Sequence, residues 1–360
     1  MDQMNAAPSL PGPIGLDSAL VTGASGFLGS HLAAALCRRG VKVRALVRPT
    51  SDLRRLAGLD AEIVRGDLGD PASLHEATRG QRVVFHVAAK VPDWGPRREF
   101  FRANVDGTRA VVQACQDAGV ERLVYVSSLT VLGLPRRGAA VDEQSPYDPA
   151  PRDAYTASKI AAEEMVREAH GQRALATVTI RPGAIWGPGD PNIAPRMATL
   201  LCRGRAVYIG RANNSLALSH VENLVEGLLL AAQVRAAAGQ VYHLTDGENL
   251  TAREIIDALA ALLGAQRPRW SAPFFVVYLA ASLLEGVARL LRRPRPPRFT
   301  RYGVRLLASD CRYSNRKAEG DLGYRPRVGF RQGLAALAGE LRAQFPAQFP
   351  VVSAAGSRHD

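Results

Sequence analysis

The sequence predicts an α/β fold, a doubly wound parallel sheet with a smaller C-terminal region, and three observations carry the prediction. Short β-rich runs alternate with longer runs of helical period from Ala19 to Pro182. Glycines punctuate the first strand-to-helix turn, in "VTGASGFLGSHL" from Val21 to Leu32. After Pro182 the alternation weakens, and Gly and Pro cluster in "GAIWGPGDPNIAP".

Taken in order, the elements are a strand in "ALVTG", a helix over Leu28 to Arg39, a strand in "VKVRALVR" and a third in "AEIVRGDL". A helix near Leu74, the strand "VVFHVAA", a helix from Val105 to Ala118 and the strand "RLVYVSS" follow. A helix from about Ala154 to Glu168 and the strand "ATVTIRP" complete the series, which reads as βαβ units on a parallel sheet. Gly40 and Gly119 fall where a left-handed helix cap is wanted.

Gly23, Gly26 and Gly29 stand directly after a strand and at the start of a helix. That places backbone N–H groups and a helix N-terminus where a pyrophosphate can sit, so the turn is expected to hold a dinucleotide in a Rossmann arrangement. A side chain at Gly23 or Gly26 is expected to hold the phosphates off. The end of the second strand chooses the cofactor, because an acidic residue there binds an adenosine ribose whereas arginine favours a 2′-phosphate. It reads Leu46-Val47-Arg48-Pro49-Thr50-Ser51, with no carboxylate before Asp52. NADP(H) is therefore expected over NAD(H), with Arg48 as the main candidate and Arg44, Ser51 and Arg54 as further ones. Asp67 and Leu68 in "RGDLGD" fall where they could flank the adenine, although Asp67 equally suits a helix cap.

Tyr155 and Lys159 stand at i and i+4 on the helix beginning near Ala154, so they share a face. A nearby ammonium favours phenolate, which is expected to bring the Tyr155 pKa down and make it an acid or base near neutrality. Ser127 and Ser128 end a strand some 27 residues earlier, and parallel strand ends converge at one sheet edge.

The ordered set "TGASGFLG", "GDL", "FHVAA", "NVDGT", "YVSSLTV", "YTASK" and "RPGAIWGPGDP" resembles the extended short-chain dehydrogenase/reductases across roughly residues 19 to 340. Within them, "FHVAAKVPDWG", "IWGPGDPNIAPRM", "SHVENLVEGLLLAA", "VYHLTDGENLT" and "CRYSNRKAEGDLGY" are similar to the 3β-hydroxysteroid dehydrogenase branch. The resemblance implies that Tyr155 is the general acid/base and that Lys159 lowers its pKa and binds the nicotinamide ribose. It implies that Ser128, in preference to Ser127, hydrogen-bonds the substrate oxygen, and that Asn104 orders the site, a position that also suits a helix N-cap. Pro182 and Gly183 would line the nicotinamide face, with Ser25, Phe27, Leu28, Ala88, Ala89 and Lys90 among the other cofactor-binding residues. The hydride chemistry belongs to the cofactor, and the protein supplies orientation and proton transfer.

Dehydratases of the superfamily place Asp-Glu after the catalytic hydroxyl residue; Leu129-Thr130 stands here, which argues against elimination. A nucleotide-sugar epimerase needs the same triad and stays open as the alternative, while a non-catalytic sensor would have lost Tyr155 or Lys159. Trp94, Trp186 and the apolar run Ala272 to Leu291 point to an apolar substrate, sterol-like or a long-chain β-hydroxy/β-keto acid. A carboxylate β to the new ketone would permit decarboxylation, because the ketone accepts the electrons that CO₂ leaves behind. The run has 13 residues before Glu285, short of the roughly 20 a bilayer span requires. It is followed by the basic "RRPRPPR". A helix over the substrate pocket, an interfacial membrane helix using 272–298, and a true span all stay open, in that order.

The domains are expected as a disordered leader over 1–18, a dinucleotide-binding domain over 19–182, a substrate-binding region with elements returning to the sheet over 183–344, and a tail over 345–360. The leader lacks a basic n-region and an apolar h-region, so a cytoplasmic protein is expected, able to rest at a membrane. The charge is +13 over 360 residues, and only four of the 46 basic residues are lysines. Scattered solvated arginines or an anionic surface or ligand account for it; no basic-aromatic stripe supports nucleic-acid binding. Cys37, Cys115, Cys202 and Cys311 lie far apart without metal spacing, so neither a zinc site nor a disulfide framework is expected, and the thiols should be mostly buried. A homodimer is compatible with the sequence.

Overall fold

The computed structural model describes residues 14–91, 94–133, 141–291, 293, 297, 300–310 and 312–345. In chain order the elements are β1 (Ser18–Thr22), α1 (Phe27–Arg38), β2 (Lys42–Val47), β3 (Ala61–Arg65), α2 (Pro71–Thr78), β4 (Val83–His86), α3 (Arg97–Phe101) and α4 (Gly107–Asp117). There follow β5 (Arg122–Val126), α5 (Ala154–Glu168), β6 (Ala176–Pro182), β7 (Ala184–Trp186), α6 (Ile193–Cys202), β8 (Tyr208–Ile209), β9 (Leu218–His220), α7 (Val221–Gln233) and β10 (Val241–Leu244). The chain then forms α8 (Ala252–Leu262), β11 (Ser271–Ala272), α9 (Phe274–Leu290), α10 (Arg301–Ala308), α11 (Arg316–Leu322) and α12 (Phe330–Gln344).

Seven strands form one all-parallel sheet in the order β10-β6-β5-β4-β1-β2-β3. Val21, Phe85, Val124, Val178 and Ile180 point to one face, where α1, α7 and α11 pack; Leu20, Val84, Leu123 and Tyr125 point to the other, with α2, α4 and α5. Burial on both faces is why these strands read as near-continuous apolar runs rather than alternating ones. The order reverses between β1 and β4, so a crevice opens beyond their carboxyl ends, the place where open parallel sheets bind ligands.

A third core, built by Trp186, Ala198, Leu201, Tyr208, Ile256, Leu259, Phe330, Leu337 and their neighbours, belongs to the C-terminal region. The same region returns α7, β10 and α11 to the main sheet and adds two small parallel pairs, β8 with β11 and β7 with β9.

Three local expectations are revised. Ile14 is buried and its N–H donates to the Gln233 carbonyl, and β1 begins at Ser18, so the end of the expected leader belongs to the fold. The helix expected from Val105 begins further upstream, as α3 running through a π-helical turn at Arg102–Asp106 into α4. Of the thiols, Cys115 is buried, but Cys37 and Cys202 are only half-buried, and Cys311 lies outside the described residues.

Candidate active site

The glycine turn is shaped by close approach. Gly23 has φ +67°, and a Cβ there would come within 2.8 Å of the Ala88 Cα, on the chain leaving β4. A Cβ on Gly29 would lie 2.2 Å from the Gly23 carbonyl oxygen, so only glycine lets α1 start this close to β1. Gly26 differs: a Cβ there would meet only the Gly23 oxygen, at 3.1 Å. Its other side is open, and no side chain caps α1. First-turn N–H groups lack intrahelical partners, so an uncapped N-terminus at the sheet crevice fits a dinucleotide pyrophosphate. The steric load expected on Gly23 and Gly26 thus divides otherwise: Gly23 and Gly29 are held by close chain packing, and Gly26 is crowded only by the Gly23 oxygen.

At the end of β5 the two serines separate in role. Ser127 donates to Glu163, which is fully buried and also receives two nitrogens of Arg181 and the Tyr147 hydroxyl. Ser128 accepts from the Thr130 backbone N–H and hydroxyl and is near enough to the Tyr155 phenol to pull its pKa down. Asp153 accepts from the Thr156 N–H at 2.7 Å and caps α5, which puts Tyr155 in its first turn and Lys159 one turn on. The Lys159 Nζ donates to the Val126 carbonyl at 2.6 Å and lies over the Tyr125 ring.

This geometry corrects the expected effect of Lys159 on Tyr155. Burial pushes the phenol up to about 12; the Ser128 hydrogen bond opposes this, and the Asp153 charge adds to it. The ammonium faces Val126 instead, and burial brings Lys159 itself down to about 7 against the pull of the Glu163 carboxylate. In this state Tyr155 is a protonated phenol at neutral pH, suited to donate.

Asn104 is buried in the π-helical turn, and all its side-chain bonds go to the site. Its Oδ1 accepts from the Lys90 N–H at 2.6 Å; its Nδ2 donates to the Lys90 carbonyl and the Ser158 hydroxyl. It therefore ties the strand exit at Ala88, Ala89 and Lys90 to the residue before Lys159, and it is not an N-cap. The extra residue of a π turn re-aims one side chain, a feature frequent at functional sites. Lys90 pairs with Glu99 on α3 at 3.0 Å. Beyond β6, a Cβ on Gly183 would lie 2.4 Å from the Ala217 carbonyl oxygen, so glycine lets the segment after Pro182 lie against β9.

At the adenosine end, Arg48 is exposed just past β2, with no side-chain hydrogen bond or ion pair among the described residues. Arg44 is removed from candidacy: it pairs with Glu62 and donates to the carbonyls of Glu76, Ala77 and Arg79, closing the C-terminus of α2. Arg54 pairs with Asp52. The Asp67 carboxylate accepts from Gly69 N–H, a local turn, and Leu68 packs on Gly107 of α4.

The aromatic candidates separate as well. Trp186 is buried in the third core, donates to Asp246 and packs edge-on against His220 and beside Phe330, so it does not line a substrate cleft as expected. Trp94 docks on the end of α9, donating to the Arg293 carbonyl with the Arg289 guanidinium over its ring. Tyr302 of α10, which nothing in the sequence singled out, meets the Tyr155 ring edge-on at 6.3 Å. It lies 147 residues downstream with no motif around it, so only tertiary structure reveals it. Nor is α9 buried. It turns its large apolar residues outward, and no helix of the described residues is long and apolar enough to cross a membrane. Among those residues no cluster of three His, Cys, Asp or Glu could hold a metal ion.

The model of the 3-beta hydroxysteroid dehydrogenase/isomerase family matches residues 20–273. The chain belongs to that family. It is 36% identical over 325 residues to a 2-alkyl-3-oxoalkanoate reductase of Stenotrophomonas maltophilia, covering 88% of this chain and 97% of the relative. It is 32% identical over 321 residues to a mouse sterol-4-alpha-carboxylate 3-dehydrogenase, decarboxylating, with 86% of each chain covered. Among solved structures, MoeE5 in complex with UDP-glucose and NAD superposes with a TM-score of 0.70 at 28% identity, over 91% of this chain and 99% of that one. As a member of the 3-beta hydroxysteroid dehydrogenase/isomerase family this chain is an NAD(P)-dependent oxidoreductase acting on CH–OH groups.

Proposed function

We propose that this chain interconverts a 3-oxo and a 3-hydroxy group on an apolar substrate, a 2-alkyl-3-oxoalkanoate-like or sterol-like molecule, with NADP(H), and that Tyr155 moves the proton. The observation that carries the reading is that Ser128 acts on the Tyr155 phenol, with Lys159 one turn away on the same helix, beside the glycine turn at a single sheet edge. The dinucleotide supplies or accepts the hydride at the carbonyl carbon. Tyr155 donates its proton to the carbonyl oxygen in reduction and recovers it in oxidation. Ser128 holds that oxygen, and Lys159 and Asn104 fix the helix start and the strand exit between which the nicotinamide ribose would lie. Gly26 and the first turn of α1 hold the pyrophosphate, and Arg48 meets the 2′-phosphate. Support for the substrate class comes from the relatives' substrates, because Trp186 and the outer face of α9 no longer bear on pocket polarity.

The test follows nicotinamide absorbance with NAD(H) and NADP(H) against 2-alkyl-3-oxo acids, 3-hydroxysteroids, sterol carboxylates and UDP-sugars. Turnover with an apolar 3-oxo or 3-hydroxy compound and NADP(H) is expected. Turnover of UDP-sugars alone would overturn the substrate reading in favour of the epimerase, and a clear NAD(H) preference would overturn that of Arg48. Arg48→Ala is expected to weaken NADP(H) binding by about tenfold or more and to leave NAD(H) within about twofold, since a charge-assisted phosphate contact is lost.

A further inference from the structure

Three consecutive residues at the exit of β5 are each met by a residue of α5. The Val126 carbonyl takes the Lys159 ammonium at 2.6 Å, the Ser127 hydroxyl donates to the Glu163 carboxylate, and Ser128 stands by the Tyr155 phenol. Tyr155, Lys159 and Glu163 follow one another at spacings of four, so all three project from one face of the helix. Proton transfer uses the first two. Glu163 lies one turn further on and is fully buried, a costly place for a carboxylate unless charge and hydrogen bonds compensate it.

The compensation comes from the next strand. Arg181 on β6 brings Nη2 to 2.6 Å and Nε to 3.0 Å of Glu163 Oε1, and the Tyr147 hydroxyl donates to the same oxygen at 3.1 Å. Arg181 is itself buried, and its other guanidinium nitrogen reaches the Glu143 carbonyl and His243. The Ser127 N–H donates to the Ile180 carbonyl at 2.7 Å, so Ser127 is tied to β6 through its backbone and, by way of Glu163 and Arg181, through its side chain. Well-packed apolar residues often replace a buried ion pair with no loss of stability, so the fold alone does not call for this one. What an apolar residue at 163 would remove is the acceptor for Ser127 and the negative charge behind Lys159.

We propose that Glu163 is a positioning residue for proton transfer: fixed by Arg181, it holds Ser127 and so sets the neighbouring Ser128 against Tyr155, while its charge keeps the Lys159 ammonium on the Val126 carbonyl. The inference rests on proton transfer by Tyr155. Other groups facing Lys159 are uncharged near neutrality: Tyr125 of β5 lies under the ammonium with its phenol pushed up by burial, and burial holds His86 of β4 neutral. Glu163 is the carboxylate that acts on it.

The test uses the full chain with NADPH and the 3-oxo substrate that the parent reduces. Ser127→Ala removes the tie to the carboxylate and leaves the Glu163–Arg181 pair in place. Its kcat is expected to fall by about tenfold or more, because small misplacements of reacting groups are costly, with KM and NADPH affinity within about twofold. A packing role alone would lower the melting temperature and leave kcat at the parent's value, which would overturn the proposal. Glu163→Gln is expected to lower kcat likewise, and it is read a second way without substrate. The chain has four lysines, Lys42, Lys90, Lys159 and Lys317, so NMR of ¹³C-labelled lysine follows the Lys159 titration, its signal identified by loss in Lys159→Met. In Glu163→Gln that titration is expected at lower pH than in the parent, since the ammonium has lost its carboxylate; titration at the parent's pH would overturn the proposal. If the orphaned Arg181 prevents Glu163→Gln from folding, the Ser127→Ala kinetics decide. An inactive Tyr155→Phe beside a fully active Ser127→Ala overturns this proposal alone, whereas a fully active Tyr155→Phe overturns the proton-transfer reading and the proposal with it.

Discussion

At the scale of single residues, the protonation of Tyr155 is the feature with most consequence. Burial holds it near 12 in the free protein while its one favourable polar partner is Ser128. Reduction needs the protonated phenol and oxidation the phenolate. In oxidation, kcat/KM is therefore expected to rise by up to about tenfold per pH unit through neutrality until Tyr155 titrates in the complex, whereas in reduction it stays flat over that range. Parallel pH profiles in the two directions check this, and a flat oxidative profile would place the proton transfer elsewhere. The sequence located Tyr155 and Lys159 by their spacing but misjudged the electrostatics. The spacing puts both on one helix face, and only the fold shows that the Val126 carbonyl takes the ammonium.

At the scale of elements, the α9–α10 hairpin is held by one buried carboxylate. Glu285 accepts from the Arg301 backbone and guanidinium and from Arg289, and Arg301 precedes the Tyr302 that rests on Tyr155. Glu285→Gln is expected to loosen α10 and to raise KM for the apolar substrate several-fold while the dinucleotide Kd stays unchanged, because the cradle lies on α1. Steady-state kinetics beside a dinucleotide titration separate the two. The strands were legible because burial on both faces leaves apolar runs, and the ends of α1 and α4 because Gly40 and Gly119 fall where a left-handed cap is wanted. Helix α3 and its π turn were not, since the side-chain bonds of Asn104 that stabilise the turn reach residues distant in sequence. Trp186 was misread for a related reason: an aromatic beside a Gly–Pro loop looks the same in sequence whether it faces a cleft or a core.

At the scale of the whole molecule, buried titratable groups tie stability to pH in two separate windows, one acid and one alkaline, and in both it rises with pH. His86, between the Thr22 and Thr108 hydroxyls, and His243, beside Arg181, are both pressed down to about 3 by burial. Unfolded, each titrates near 6.5, so the stability they confer is complete above that pH. It falls as pH drops toward 3, by about 1.4 kcal/mol per unit for each group. Lys159 acts in the alkaline window: its folded value near 7 lies below 10.5, so its contribution rises as pH climbs between them. Urea unfolding of the parent and His86→Asn between about pH 4 and 7 should show the shallower acid loss in the variant. The parallel sheet, its reversal between β1 and β4 and the convergence of the glycine turn with Ser128 and Tyr155 all follow from that architecture. The most direct test of the central claim is turnover by Tyr155→Phe with NADPH and a 2-alkyl-3-oxo acid or 3-oxosteroid that the parent reduces, alongside its NADPH affinity. Turnover is expected to fall by about a thousandfold with affinity and melting temperature retained; undiminished turnover would contradict proton transfer by Tyr155.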